Sequence, residues 1–225
     1  MNKLLKADST NRIAKDKNGK QIKIDINGNK EIDTSEALSV FSLYLYPGEI
    51  TNLKGIEKFK NLRNLDLSTN NLLKFENIDL PNLESLDLLD NDIIHLNIDN
   101  LQNLKVFSCQ QNNLVELKIN GLPNLEKINC SWNKLTKLNL KKLPKLNHLE
   151  ISNNSFSGKL RLNNLTEIKT LWCSNNKITK LKINKLTNLK DLKIRNNKIK
   201  KIDTKLIKQL RIFECYNNKL NCIRK

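Results

Sequence analysis

Leu125-Glu126-Lys127-Ile128-Asn129-Cys130-Ser131-Trp132-Asn133-Lys134-Leu135 carries apolar residues at its first, fourth, sixth and last places and an asparagine at its ninth. The same frame returns as Leu62, Leu65, Leu67, Asn70 and Leu72, and again as Leu189, Leu192, Ile194, Asn197 and Ile199. Eight asparagines hold the ninth place, Asn70, Asn91, Asn112, Asn133, Asn154, Asn176, Asn197 and Asn218, spaced by 21 residues with one interval of 22. A period of this length marks a solenoid: one repeat cannot make a core by itself and buries its apolar row against its neighbours. A degenerate earlier repeat reads Val40, Leu43, Leu45 and Ile50, with Gly48 in the asparagine's place 22 residues before Asn70, which makes nine coils.

Beyond the asparagine the frame continues as Leu135-x-x-Leu138-x-Leu140-x-x-Leu143. Alternation on this side too predicts an extended back for each coil. The expected fold is an α/β-type leucine-rich-repeat solenoid: a right-handed curved coil with a parallel β-sheet on its concave face, an extended or short-strand back, and a small helical N-terminal cap. Residues 1–39 read as the cap, 40–219 as the repeats and 220–225 as a short end. The asparagine amide both donates and accepts, so at a tight bend it is expected to satisfy backbone groups of its own coil and the next. Strands about 4.8 Å apart make nine coils a body on the order of 40 Å long.

At 225 residues and 38% hydrophobic content the chain can bury a full core. No apolar run approaches the roughly 18 residues needed to cross a membrane. The opening MNKLLKADSTNR lacks an apolar leader, which leaves two readings, a cytosolic protein or one whose leader has been removed. Cys109, Cys130, Cys173 and Cys215 fill the inward slot held elsewhere by Leu67, Leu88, Ile151 and Ile194, so they read as small buried hydrophobes. Cys222 is out of register, and a Cys215–Cys222 bridge would require their Cβ atoms to converge. The sequence shows no Cys-x-x-Cys, no paired histidines, no nucleophile elbow and no glycine-rich phosphate loop. An enzyme is therefore not expected. Asp87 and Asp90 form a carboxylate pair, but a shallow sheet offers no pocket to raise either pKa.

The segment Asp25-Ile26-Asn27-Gly28-Asn29-Lys30-Glu31-Ile32-Asp33-Thr34-Ser35-Glu36 follows the spacing of a twelve-residue calcium loop. Asp25, Asn27, Asn29, Glu31, Asp33 and Glu36 would be the oxygen ligands. Lys30 stands where the loop expects glycine, and Gly28 sits two places early. The alternative is a turn rich in asparagine and glycine leading into a capping helix from Thr34 or Ser35. Either way the segment shields the open edge of the first coil.

These features resemble a known group. The stretch from Lys3 to Leu65, with Ser35-Glu36-Ala37-Leu38 after the loop, is similar to the N-terminal cap and first coil of secreted Bacteroidetes leucine-rich-repeat proteins. The repeats Cys130-Ser131-Trp132-Asn133 and Cys173-Ser174-Asn175-Asn176 carry the likeness through the rest of the chain. The resemblance, which extends to BspA-like and internalin-like proteins, implies export to the cell surface or medium, with the leader removed. It further implies adhesion or binding of a host or environmental macromolecule.

Between the inward slots, the central outward column reads Asp66, Asp87, Ser108, Asn129, Glu150, Trp172, Lys193, Glu214. Two places later it reads Ser68, Leu89, Gln110, Ser131, Ser152, Ser174, Arg195, Tyr216, and the following residue adds Asp90, Trp132 and Asn153. Trp132 and Trp172 are expected on this outward register, two coils and so roughly 10 Å apart. Trp132, Trp172 and Tyr216, with Lys127, His148, Glu150, Lys193, Arg195 and Glu214, form the candidate partner-binding set. The competing reading packs the two tryptophan rings flat against neighbouring strand side chains.

Charge is uneven: 14 basic and 16 acidic residues through Asn112, then 26 basic and 7 acidic. Lys137, Lys159, Lys180 and Lys201 occupy one place on the back of four coils, with Lys118, Arg161 and Lys182 as a partial column beside it. Such columns suit a sulfated or phosphorylated polyanion, or are a solvated face in a chain rich in Lys, Asn and Ile. Nucleic acid fits less well, because no aromatics interleave with the lysines. With Leu220 to Lys225 as its cover, the last coil also leaves self-association open.

Overall fold

The computed structural model of the protein describes residues 13–76, 78–162 and 165–220. Nine three-residue strands, Ser42–Tyr44, Asn64–Asp66, Ser85–Asp87, Val106–Ser108, Lys127–Asn129, His148–Glu150, Thr170–Trp172, Asp191–Lys193 and Ile212–Glu214, pair in parallel and in chain order. Register is constant. Leu43, Leu65, Leu86, Phe107, Ile128, Leu149, Leu171, Leu192 and Phe213 are successive partners along one inward row. The back of the coil is extended, with His95–Asn97 parallel to Glu116–Lys118 and Ser157–Leu160 parallel to Lys177–Leu181. Among the described residues, helix is confined to Thr34–Leu38 and a 3-10 turn at Ile56–Lys58.

The asparagines work backward along the solenoid. Asn133 Nδ2 donates to the Cys109 carbonyl of the preceding coil (3.0 Å) and to Cys130 and Ser131 of its own, while its Oδ1 accepts from the Leu114 amide at 2.9 Å. The other seven repeat this pattern, from Asn70 onto Leu45 and Ile50 to Asn218 onto Ile194 and Ile199. The expected link to the following coil is therefore a link to the preceding one. The residue before each asparagine takes a left-handed φ, between 51° and 56° from Thr69 to Asn217, which swings the chain off the sheet.

Leucine, isoleucine, phenylalanine and cysteine side chains form one core along the stack. The N-terminal segment closes its open edge. Ala14–Lys15 pairs antiparallel with Ser42–Tyr44, and Ile24, Ile32, Ala37 and Val40 join the core. Asp33 caps the helix Thr34–Leu38 by accepting from the Glu36 amide (2.9 Å), and the Glu36 carboxylate returns to the Asp33 amide (3.1 Å). Lys58 Nζ donates to the Ile32 carbonyl at 2.8 Å, tying this cap to the first full coil.

Candidate interaction surfaces

The long sheet displays Tyr44, Asp66, Asp87, Ser108, Asn129, Glu150, Trp172, Lys193 and Glu214 side by side on successive strands. At one end, burial and then the neighbouring Asp66 raise the pKa of the Asp87 carboxyl, which corrects the expectation that a shallow sheet could not do so. At the other, Trp172 is the centre of a cluster. Lys193 Nζ stands 4.4 Å from its ring centroid, a cation–π contact. His148 meets the ring edge-on with centroids 5.6 Å apart. Glu214 lies 3.3 Å from Lys193 and 3.6 Å from Arg195, and Arg195 donates to the Tyr216 hydroxyl at 2.8 Å.

Burial, then Lys127, lowers the His148 pKa, with Asp191 opposing. Burial raises that of Glu150, with Lys193 opposing. Trp172 Nε1 is closed off from solvent with no hydrogen-bond partner in the protein, as are Ser174 Oγ two residues on, Asp191 Oδ1 on the next strand and, elsewhere, Asn120 Oδ1. Such groups cost free energy and concentrate where a structure is set up for something else.

Eight of the nine expected partner residues thus sit on adjoining strands or the turn just after them. Trp132 does not. It stands in the bend with φ 56° and is 61% exposed, in the column of Thr69, Asp90, Gln111 and Asn153. The shared register expected for the two tryptophans is corrected: three residues beyond the strand, the left-handed turn has already rotated the side chain off the sheet face. The serine column is corrected as well. Ser68, Ser131, Ser152 and Ser174 are buried and offer no surface, because their short side chains end below the level that the longer Arg195 and Tyr216 of the same column reach.

In the cap loop, Asp25 and Glu36 are buried and hold peptide groups of the loop itself. Asp25 accepts from the Gly28 and Lys30 amides, and Glu36 Oε1 from Ile26 and Asn27. Asn27 and Asn29 each accept from the amide two residues on. Lys30 takes the positive φ of 65° that glycine usually supplies. Among the described residues no three His, Cys, Asp or Glu side chains are grouped to hold one metal ion.

Cys109, Cys130 and Cys173 are fully buried, and burial pushes the thiols of Cys130 and Cys173 up to about 12. Cys222, and with it the bridge to Cys215, lies outside the described residues. On the back, Lys118 belongs with an acidic neighbour rather than with the cations, its ammonium lying 3.9 Å from Glu116.

One surface escaped the sequence reading. Leu73, Ile94 and Val115, each three residues past its asparagine, are 66%, 46% and 42% exposed in three successive coils. Their 21-residue spacing was the available signal, since Thr136 and Lys200 fill the same place later.

The family model described as leucine-rich repeats in two copies matches residues 166–206. No curated protein matches the chain. Among solved structures, internalin C2 of Listeria monocytogenes aligns at 23% identity and TM-score 0.74, over 82% of this chain and 84% of that one. A leucine-rich-repeat protein of Leptospira interrogans aligns at 25% identity and TM-score 0.64. That match covers 84% of this chain and 57% of the Leptospira protein. The ectodomain of the Arabidopsis thaliana receptor kinase GASSHO1/SCHENGEN3, in complex with CASPARIAN STRIP INTEGRITY FACTOR 2, aligns at 19% identity and TM-score 0.65. That match covers 84% of this chain and 26% of the receptor chain. The 21-residue frame, the parallel sheet and these likenesses together establish the fold as a leucine-rich-repeat solenoid.

Proposed function

We propose that the protein is an exported, non-enzymatic binding module that grips a protein partner on its concave, long-sheet face, with Trp172 at the centre. The observation that carries this reading is the Trp172 cluster. A large aromatic ring lies partly exposed on the sheet, covered on one side by a single ammonium and ringed by charges of both signs. A partner that displaces the Lys193 ammonium gains the ring face and access to the unpartnered indole N–H. Aromatic centres with a charged surround are the usual anchors of protein interfaces. The plant ectodomain carries its integrity factor on the same kind of fold, which supports recognition as the use of this one. Adhesion to a host or environmental protein, and a place among Bacteroidetes surface proteins, follow from the motif resemblance and belong to the same proposal. No helix among the described residues is long and apolar enough to cross a membrane.

The test is capture of serum and matrix proteins on the immobilised chain, with Trp172→Ala and Trp132→Ala compared. A protein retained at high salt, lost with Trp172→Ala and kept with Trp132→Ala, supports the reading. Equal capture by wild type and Trp172→Ala overturns it.

Calcium in the cap is a separate proposal, in which the ion competes with the amide bonds that Glu36 makes to Ile26 and Asn27. A calcium-dependent rise in Tm that disappears in Asp25→Asn/Glu36→Gln supports it. An unchanged Tm in calcium and in chelator removes it.

A further inference from the structure

The back of the later coils carries a second surface that the concave reading does not use. Lys159 is the register partner of Lys180, and Leu160 of Leu181. The two leucines are buried, so strand alternation turns Lys159 and Arg161 outward on one coil and Lys180 and Lys182 outward on the next. Lys137 and Lys201 extend this column by one coil on either side, at a spacing of about 4.8 Å.

The crowding has an electrostatic consequence. Lys182 and then Arg161, with Lys180 adding, hold the fully exposed Lys159 ammonium below its ordinary range. Among the described residues none of Lys137, Lys159, Arg161, Lys180, Lys182 and Lys201 makes an ion pair. A groove of about 720 Å³ runs between Lys180, Lys182, Lys200 and Lys201, with Leu181 and Ile183 in its lining. The one carboxylate of that lining, Asp203, is turned onto the Lys205 amide at 3.0 Å.

We propose that this cationic column is a binding site for a linear sulfated polysaccharide laid along the stacking axis of the coils. A linear polyanion matches a charge repeat that advances by one coil at a time, and its binding releases condensed counterions while relieving the repulsion among the lysines. Single-stranded nucleic acid would ask for aromatic platforms between the cations. The exposed aromatics Tyr46, Trp132 and Tyr216 instead stand at or just beyond the ends of the long-sheet strands, not on these back strands. The site shares no residue with the Trp172 cluster, so the two readings stand or fall separately.

Binding of a fluorescein-labelled heparin oligosaccharide, followed by anisotropy over a salt series, tests the assignment. Lys159→Gln/Lys180→Gln is expected to weaken binding about tenfold and to flatten the log–log salt slope by about 2. Lys17→Gln/Lys20→Gln removes the same charge from exposed positions in the cap and is expected to leave affinity unchanged, as is Trp172→Ala. All the altered side chains lie on the surface, and thermal melts confirm that each variant is folded. Equal weakening by the two lysine pairs would reduce the effect to net charge and overturn the site. So would competition by neutral dextran, or by single-stranded DNA that binds more tightly than the heparin probe.

Discussion

Asn133→Ala is the substitution whose cost can be worked most directly from the structure. The side chain accepts from the Leu114 amide at 2.9 Å and donates to the carbonyls of Cys109 and Cys130 at 3.0 and 3.2 Å. Leu114, Cys109 and Cys130 are all fully buried, so water does not replace the lost partner without the coils separating. An orphaned buried N–H costs about 1–3 kcal/mol and the weakened carbonyls add to it, giving an expected loss of about 2–4 kcal/mol. Domains of this kind have of order 5–15 kcal/mol in total, so the variant folds but unfolds at clearly lower urea with an unchanged m-value.

Asn218→Ala in the last described coil is the internal control. Both asparagines are themselves partly buried, but the own-coil acceptor of Asn218, Cys215, is only partly buried where Cys130 is fully so, and its bond to Tyr216 is long at 3.4 Å, so water can substitute there and a smaller loss of about 1 kcal/mol is expected. Asn133→Asp keeps the acceptor for Leu114 but aims a carboxylate at three carbonyl oxygens, those of Cys109, Cys130 and Ser131. It should be worse than alanine at neutral pH. The new acid's folded pKa is raised above its unfolded value, so stability recovers as pH falls through that folded pKa. Urea unfolding followed by far-UV circular dichroism measures all three. Losses for Asn133→Ala and Asn218→Ala within about 0.5 kcal/mol of each other would refute the reasoning that burial sets the cost.

Trp132→Asn should stabilise the fold by about 1 kcal/mol, because the left-handed backbone there disfavours a bulky side chain and tolerates asparagine; a loss in urea unfolding would show that the exposed ring packs usefully. The pKa of His148 is lowered in the folded state, so the unfolded chain protonates first as pH falls below the ordinary histidine value of 6.5. Stability should therefore drop in that window, and His148→Gln should drop less, in unfolding curves taken on either side of it. In a Cys222→Ser background, native protein should leave Cys109, Cys130 and Cys173 unreacted with a thiol reagent until denatured, with Cys215 modified sooner. Fast native labelling of Cys130 would contradict its burial and its raised pKa.

Much of the fold is legible in the residues because stacking converts sequence into space by one rule: residue i lies beside residue i + 21, or i + 22 across the one longer repeat. That rule alone assigns Leu65, Leu86 and Leu192 to one inward row. It also places Asp66, Asp87, Trp172 and Lys193 in one outward column, and Lys159 beside Lys180. Strands this short carry one inward residue each, so no register shift can satisfy the core, and the columns follow.

What the period cannot give is the cross-section of a single coil. Trp132 and Trp172 differ by three residues in their place within the repeat, yet a left-handed turn between those places sends one ring into solvent and lays the other on the sheet. The same turn points each asparagine at the preceding coil. Neutralisation is likewise a matter of side-chain distance, within a coil as well as across coils. Lys118 finds Glu116 and drops out of the cationic column, whereas Lys159 faces Lys182 and Arg161 and does not. In the cap, the sequence supplied a string of oxygen side chains, and the tertiary structure turned Asp25 and Glu36 inward onto amides of their own loop. A repeat fixes which residues share a column by translation. Backbone dihedrals and inter-coil contacts decide which way each column faces and what it meets.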